Sequence, residues 1–197
     1  WLYTYGFERF DISQSSGIPD DELRRIAQEI VTYWDSGERF LDIRIEGQSL
    51  YNQREIIHLR DVKSLVSGLF RVQETAAVLI LLCVLAGWFR ERGGIWKVLI
   101  ARVKVGGIAS LVLLTGSGIA LGIAFPWLFH IFHLISFSND FWQLDPRHDA
   151  LIQMFPQGFW YMATMLVVAA TALQAALLIF GTWLVSRRLC GVSPQKD

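Results

Sequence analysis

Three long apolar segments restrict what this chain can fold into more than any other feature of its sequence. They cover residues 75–89, 105–135 and 158–185. A helix that spans a membrane needs roughly 20 predominantly apolar residues. The first segment reaches that length only if its helix begins upstream, in the amphipathic stretch that starts at Asp61. We therefore predict a mainly α-helical, polytopic membrane protein. Its three visible transmembrane helices are expected at residues 61–91, 105–135 and 158–186.

The second apolar segment contains a proline and several glycines. Pro126 lacks a main-chain N–H, and its ring collides with the preceding helical turn, so we expect a kink near this residue. Small residues let helices approach closely in a membrane. They recur in this segment as Gly106, Gly107, Gly116, Gly118 and Gly122. We expect this helix to pack closely against its neighbours.

Basic residues are distributed unevenly around the apolar segments. Arg90, Arg92, Lys97, Arg102 and Lys104 surround the connection at 92–104, and Arg187, Arg188 and Lys196 lie in the tail at 187–197. Short loops rich in Lys and Arg stay in the cytoplasm. We therefore predict that 92–104 and 187–197 are cytoplasmic, and that 1–60 and the acidic, aromatic loop at 136–157 are extracytoplasmic. An outer N-terminal region requires a translocation signal before Trp1, either a cleaved signal peptide or a fourth membrane helix, and we favour the helix.

Residues 1–60 are polar and mixed in character. The stretch "SGIPDDELRRIAQEIVTYW" has Pro19 followed by three acidic residues, which is typical of a helix start. Apolar residues then recur at helical spacing as Ile18, Leu23, Ile26, Ile30 and Trp34. The stretch "FLDIRIEGQSLY" alternates apolar and polar side chains between Phe40 and Glu46, which favours a short, half-buried strand. We predict a small α+β element, too small to hold a large core by itself.

A dense group of titratable residues precedes the first apolar segment, in "NQREIIHLRDVKSL" at residues 52–65. On a helix, Glu55 and Asp61 lie three residues before and after His58 and share its face. Two interpretations are open. The group is a solvated ladder of charges worth roughly 0.2–0.5 kcal/mol per pair, or its carboxylates orient an imidazole for acid/base catalysis.

All four histidines are expected near one membrane face under this topology. His58 precedes the first span, and His130, His133 and His148 lie at or after the outer end of the second. Ionisable groups at membrane depth are costly and usually functional, but interfacial histidines that reach toward headgroups are an alternative. His148, in "DPRHD", is expected in an exposed turn. Because HExxH, CxxCH and GxSxG motifs are absent, we predict no metal, no cofactor and no serine nucleophile.

Three blocks of sequence, in order over nearly the whole chain, carry a family resemblance. They are "YTYGFERFDISQSSGIPDDELRRIAQEIVTYW", "YNQREIIHLRDVKSL" and "FHLISFSNDFWQLDPRHDALIQMFPQGFW". Together they resemble a family of four-span bacterial membrane proteins that includes the lipoprotein intramolecular transacylases. The resemblance implies a multi-pass protein of the bacterial plasma membrane, with membrane lipids and lipoproteins as partners. The implied reaction moves an acyl chain from the diacylglyceryl group of a lipoprotein's N-terminal cysteine to that cysteine's own α-amino group.

The resemblance also implies two essential histidines. By motif the first corresponds to His58, and the second to His133 within "FHLISFSND", with His130 as the alternative. Glu55 and Asp61 are expected to orient His58. The other expected site residues are Arg54 and Asn139 as donors to the oxyanion, Asp140 in support, and Phe137, Phe141 and Trp142 beside the lipid chains.

A non-catalytic function is the alternative. Eight tryptophans and a glycine-rich second span suit an accessory subunit that packs against other membrane subunits, with His130 or His133 contacting a pigment or haem. A transporter is disfavoured because the second and third apolar segments contain no Asp, Glu, Lys or Arg for an ion path. Lys plus Arg equals Asp plus Glu at 18 each, so no nucleic-acid partner is expected.

Overall fold

The computed structural model describes residues 1–91 and 94–191 and is largely helical. Its elements are α1 (Leu2–Arg9), α2 (Ile12–Ser16), α3 (Asp20–Asp35), β1 (Arg44–Ile45), β2 (Gln48–Ser49), α4 (Gln53–Glu91), α5 (Ile95–Ser136), α6 (Ala150–Met154) and α7 (Gln157–Gly191). Helices α4, α5 and α7 have the length and hydropathy of membrane-spanning helices. The predicted mainly α fold, with three visible transmembrane helices and a small α+β element, is confirmed.

The chain divides into two compact units. Unit 1 contains residues 1–71 and 125–163, and unit 2 contains residues 72–124 and 164–197. Each of the three long helices contributes one part to unit 1 and another part to unit 2.

The core of unit 1 is built around α3 and α1. Helix α3 begins after Pro19, and the three acidic residues of its first turn complement the positive end of the helix dipole. The apolar stripe predicted from the sequence is buried at Ile18, Leu23, Ile26 and Ile30. At the end of the helix Tyr33 is buried, and Trp34 only packs against the margin of the core. Helix α3 alone is too short to form a hydrophobic core. The core forms because α4, α6 and α7 also contribute side chains to it.

The predicted strand is shorter than its alternating pattern suggests. Only Arg44–Ile45 is extended and paired, antiparallel to Gln48–Ser49, across a turn whose Glu46 and Gly47 have positive φ. Leu41 and Ile43 are buried. The alternation therefore buries apolar side chains against the core, and beyond Arg44–Ile45 the pairing continues only as a hydrogen bond from the Leu50 amide to the Ile43 carbonyl, at 2.7 Å, among the residues that the structure describes.

Helix α4 begins at Gln53, well before the predicted border between residues 60 and 61. Asn52 Oδ1 accepts the amide of Glu55, and Glu55 Oε2 accepts the amide of Asn52 at 2.8 Å. This reciprocal arrangement satisfies two amides that a helix start leaves unpaired. The predicted extension of the α+β element to residue 60 is corrected accordingly.

The basic connection predicted at 92–104 is also corrected. Helix α5 begins at Ile95, so Lys97, Arg102 and Lys104 are helical. Lys and Arg are good helix formers, and the apolar pattern marks only the lipid-facing part of a helix. Likewise α5 ends at Ser136, α6 lies within the predicted loop at 136–157, and α7 extends through Arg187 and Arg188. Arg92 and Lys196 lie outside the described residues.

Helix α5 is interrupted close to its proline. Ala124 has non-helical dihedral angles, φ −126° and ψ 29°, two residues before Pro126. Proline removes one helical hydrogen bond and displaces the carbonyl four residues earlier, which accounts for a kink at this place.

Unit 2 exposes apolar side chains and packs its helices through glycine. Val112, Leu113 and Leu173 are 67%, 70% and 61% exposed, a surface suited to lipid rather than water. A Cβ on Gly107 would lie 2.7 Å from the Ile179 side chain, so close approach of these helices requires glycine at this position. A Cβ on Gly118 would lie at an ordinary contact distance, 3.4 Å, from Val168, whereas Gly106, Gly116 and Gly122 face open space.

Candidate functional site

A largely apolar cavity of about 450 Å³ lies within unit 1. We call it the histidine cavity. One face of α4 lines it through His58, Val62, Leu65, Val66 and Leu69. The remaining lining residues are Phe129, Phe132 and His133 of α5, Phe137, Trp142 and Leu144 of the following loop, and Leu151, Ile152, Phe155, Gln157 and Trp160 around α6 and α7. An apolar cavity with few convergent polar groups is typical of a ligand site.

Two imidazoles lie side by side in this cavity. The ring centroids of His58 and His133 are 6.0 Å apart, and both residues are only 8% exposed. Phe137 contacts both rings, with centroids 5.1 Å from His58 and 5.6 Å from His133. The structure therefore brings together the two histidines that the sequence motifs single out.

The main chain and aromatic neighbours hold the ring of His133. Its Nδ1 lies 2.6 Å from the carbonyl oxygen of Phe129. A carbonyl oxygen only accepts, so Nδ1 carries the proton in this hydrogen bond and Nε2 keeps its lone pair when the ring is neutral. Phe129 and Trp142 pack on the ring with centroids at 4.4 Å and 5.1 Å. His133 is thus oriented with one nitrogen available as a base.

His58 is not oriented by the predicted carboxylates. Its Nδ1 is buried and has no hydrogen-bond partner among the described residues. Glu55 instead accepts the amides of Asn52 and Leu151, at 2.8 Å and 2.7 Å. Asp61 accepts Arg60 through Oδ1 and the Asn139 amide through Oδ2. The expected Glu55–His58–Asp61 arrangement is therefore corrected: both carboxylates bind other groups.

Glu55 belongs to a polar network that fixes residues 145–151 to the start of α4. Its Oε1 receives the Leu151 amide at the beginning of α6. Asn52 Nδ2 donates to Asp149 Oδ1 at 2.7 Å, and Asp149 Oδ2 accepts the Asp145 amide. Because Glu55 is 1% exposed, its carboxylate depends on these partners. The network positions the cavity wall that contains Leu151.

The predicted oxyanion donors are used to hold the loop after α5. The Arg54 guanidinium donates to the carbonyl oxygens of Asp140 and Gln143, both at 3.1 Å. Asn139 Nδ2 donates to Asp61 at 2.8 Å, and its Oδ1 accepts the Phe141 amide. Asp140 accepts Gln143. These groups hold the loop that contains Phe137 and Trp142. Because their polar atoms bind other protein groups, they do not act as the oxyanion donors expected from the sequence.

The other predicted residues divide between cavity and surface. Phe137 and Trp142 line the histidine cavity, whereas Phe141 does not. His130 is exposed and packs on Trp142 with centroids 5.2 Å apart. His148 is exposed as predicted and lies 3.2 Å from Asp145, whose pKa is lowered by its hydrogen bonds to Arg147.

Gln157 and Trp160 are cavity residues that the sequence analysis missed. Gln157 is the first residue of α7, and Trp160 follows one turn later on the same helix. A glutamine directly before an uncharged apolar segment was the available signal. Within the described ranges, no group of three or more His, Cys, Asp or Glu is placed to bind a metal.

Fold and site define a helical membrane protein with two buried imidazoles at an apolar cavity. A sequence model of the family described as lipoprotein intramolecular transacylase Lit matches residues 1–160. The chain belongs to this family. Family and apolar helices together establish a multi-pass bacterial membrane protein of the kind that includes lipoprotein transacylases.

Solved structures share the fold. The in meso structure of the membrane-integral lipoprotein intramolecular transacylase Lit from Bacillus cereus matches with a TM-score of 0.68 and 23% identity, over 95% of this chain and 85% of that chain. A variant of that protein with one histidine replaced by arginine also matches with a TM-score of 0.68, at 22% identity, over 97% of this chain and 82% of that chain.

A protein of Aquifex aeolicus (strain VF5), described as uncharacterized, is 29% identical over 144 residues. The aligned part is 73% of this chain and 62% of that relative, so the chain spans less than two thirds of its length.

Proposed function

We propose that this chain is an intramolecular lipoprotein transacylase that uses His58 and His133 as its acid/base pair. The observation that carries this proposal is the 6.0 Å separation of the two imidazole centroids at the edge of a largely apolar cavity. Imidazoles this close together can both reach one ester group that enters the cavity. The cavity volume of about 450 Å³ falls within the usual range of ligand sites, about 300–1,000 Å³.

The proposed reaction needs no nucleophile from the protein. The neutral α-amino nitrogen attacks an ester carbonyl carbon of the diacylglyceryl group, and the carbonyl π electrons move to oxygen as the C–N bond forms. An imidazole takes a proton from this nitrogen. The carbonyl then reforms, the C–O bond breaks with its electron pair on the glyceryl oxygen, and the imidazolium protonates that oxygen. The products are an amide and a free glyceryl hydroxyl, with no water consumed.

His133 suits the role of base because the Phe129 carbonyl holds its Nδ1–H and leaves Nε2 with a lone pair. In this proposal His58 shares the proton with His133 and returns it to the leaving oxygen. Donor and acceptor belong to one molecule, so holding them in the attacking geometry supplies much of the rate acceleration. Five polar residues support the reaction by fixing the cavity walls: Glu55, Asp61, Arg54, Asn139 and Asp140.

The proposal includes the topology inferred from basic residues. Unit 1 contains residues 1–60 and 136–157, which we place outside the cytoplasm, so the histidine cavity lies at the outer leaflet. The cavity follows a face of α4 from His58 to Leu69, a direction that leads acyl chains toward apolar helix surface.

The test uses purified full-length chain and a synthetic lipopeptide with an S-diacylglyceryl cysteine and a free amine. The product has the same mass as the substrate, so tandem mass spectrometry must show the acyl group on nitrogen. An N-acetylated lipopeptide, which has no free amine, is the negative control. His58→Gln and His133→Gln are each expected to lower kcat by about 10²–10⁴-fold, the usual contribution of acid/base catalysis.

Two further histidine variants serve as matched controls. His148→Gln changes an exposed residue outside the cavity, and His130→Gln changes the alternative motif histidine. Both are expected to retain activity. Full activity of His58→Gln and His133→Gln would contradict acid/base catalysis by this pair. Absence of N-acyl product from the unmodified chain would instead favour the accessory-subunit function.

A further inference from the structure

An ester that is attacked by an amine develops negative charge on its carbonyl oxygen. Enzymes stabilise that charge with hydrogen-bond donors that are already in place, and one donor is worth about 10²–10³ in kcat. A donor of this kind must satisfy two conditions. It must reach the cavity in which the histidines lie, and its N–H groups must not already bind protein.

The cationic side chains near His58 fail the second condition. Arg54 donates to two loop carbonyls, and Arg60 donates to Asp61. Lys63 donates to the carbonyl oxygens of Tyr33, Ser36 and Glu38, at 2.6, 2.8 and 2.9 Å. None of these three cations lines the histidine cavity. They hold neighbouring segments in place.

The amide of Asn139 fails for the same reason. Its Nδ2 donates to Asp61 at 2.8 Å, and it is also absent from the cavity lining. The Gln153 amide is likewise occupied, because its Nε2 donates to the Pro146 carbonyl at 3.0 Å.

Gln157 satisfies both conditions. It lines the histidine cavity together with His58 and His133, and it is the single lining side chain with an amide. Within the part of the chain that the structure describes, no protein group forms a hydrogen bond with this amide. It is exposed, so a substrate ester can reach it. Both N–H groups of Nε2 are therefore available to an incoming oxygen.

We propose that Gln157 is a catalytic residue whose Nε2–H groups donate to the oxyanion formed when the lipoprotein amine attacks the ester. The inference rests on the proposed transacylase function and adds an amide to the two imidazoles of its site. The charge on oxygen is stabilised by Gln157 while the proton passes through the histidines. When the C–O bond breaks and the carbonyl reforms, the oxygen bound by Gln157 loses its charge. It is then the neutral carbonyl oxygen of the product amide.

Two indole N–H groups are competing donors in the same cavity, at Trp142 and Trp160. Each indole offers one donor on a ring already packed against neighbours: Trp142 against His130 and His133, and Trp160 against Phe155 and Phe159. A glutamine side chain has more freedom to follow an oxygen whose position changes during the reaction. The experiment therefore includes tryptophan variants that keep an aromatic ring and remove the N–H.

The test compares Gln157→Leu with Gln153→Leu in the lipopeptide assay. Gln157→Leu keeps the approximate size of the side chain and removes both donors, so kcat is expected to fall by about 10²–10³-fold while KM stays within a few-fold. Gln153→Leu, on the neighbouring helix and outside the cavity, is expected to keep wild-type kcat. Gln157→Glu, with an acceptor of the same length, is expected to be no more active than Gln157→Leu.

The outcomes separate this inference from the function on which it rests. If the unmodified chain is active and His133→Gln is not, but Gln157→Leu keeps its kcat, Gln157 is not the oxyanion donor and the transacylase function stands. A loss of kcat in Trp142→Phe or Trp160→Phe with Gln157→Leu unaffected would assign the donor to an indole. If the unmodified chain forms no N-acyl product, both proposals fail together.

Discussion

Helix α4 uses its side chains differently in the two units. In unit 1, Arg54 and Asp61 bind the loop between α5 and α6, Glu55 binds the start of α6, and His58 faces the cavity. In unit 2, consecutive residues around the same helix are apolar and exposed, from Val78 at 55% to Leu82 at 56%. Polar groups of unit 1 specify where particular segments lie, whereas unit 2 relies on lipid to cover its surface and on glycine contacts between helices. Substitutions of polar residues in unit 1 and of apolar or glycine residues in unit 2 should therefore lower the free energy of unfolding by different amounts.

The largest effect is expected from Glu55→Ala in unit 1. The substitution leaves the buried amide of Leu151 and the part-buried amide of Asn52 without this acceptor, and a buried unsatisfied amide costs about 1–3 kcal/mol. We expect a loss of about 2–6 kcal/mol in the free energy of unfolding, measured by thermal unfolding in detergent. Glu55→Gln keeps one acceptor oxygen and should lose about half as much. Equal stability of Glu55→Ala and the unmodified chain would show that the network does not hold unit 1 together.

A pair of lysine substitutions tests which exposed apolar residues face lipid. Leu113 is 70% exposed in unit 2, and Val31 is 47% exposed on α3 in unit 1. Leu113→Lys is expected to cost about 2.5–3.5 kcal/mol, the penalty for lysine at the centre of a membrane helix. Val31→Lys should change stability by less than about 0.5 kcal/mol, as surface substitutions in water do. The measurement is membrane insertion and unfolding of each variant, and similar costs for both would remove the distinction between the units.

Glycine packing in unit 2 provides a smaller and sharply matched test. Gly107→Ala places a methyl group 2.7 Å from Ile179, whereas Gly106→Ala meets open space. Overpacking typically costs about 1–3 kcal/mol, so Gly107→Ala should lower the melting temperature in detergent and Gly106→Ala should not. Since both residues are outside unit 1, neither should change KM of the folded protein. A matched melting temperature for the two variants would contradict a close helix contact at Gly107.

The smallest effect is expected for the link between α4 and the loop after α5. Asn139→Ala removes the hydrogen bond to Asp61 and the one from the Phe141 amide, each worth about 0.5–1.5 kcal/mol. Because this loop presents Trp142 to the cavity, we expect a modest rise in KM for the lipopeptide with little change in kcat. Gln143→Ala, which leaves the Gln143 carbonyl to Arg54, is the control in the same loop. A large fall in kcat for Asn139→Ala would instead indicate direct participation in the reaction.

The parts of the fold that depend on local pattern were predictable. The length of the apolar segments predicted the three long helices, and Pro19 followed by three acidic residues predicted the start of α3. Helix ends were not predictable from hydropathy, because helix α5 continues through Lys97, Arg102 and Lys104. Hydropathy reports contact with lipid, and a helix continues beyond that contact wherever its residues favour helical geometry.

Within the site, spacing placed residues on a face but did not predict their partners. Spacing correctly put Glu55 on the side of α4 that contains His58, yet its carboxylate binds an amide 96 residues away, at Leu151. Short-range rules evaluate neighbours one turn apart, and a distant main-chain donor does not appear in them. Gln157 was missed because a single polar residue before an apolar segment resembles an ordinary helix start. Gln157 is distinguished only by the structure, which shows that the nearby amides and cations already bind other protein groups.

The double use of the Glu55 carboxylate has a consequence for local opening. The amides of Asn52 and Leu151 share one acceptor group, so breaking one contact frees the carboxylate to move and weakens the other. The beginnings of α4 and α6 should therefore open as a single cooperative segment, with linked rates of amide hydrogen exchange. One wall of the histidine cavity then either keeps its shape or yields as a whole, and partial deformation around a lipid is disfavoured.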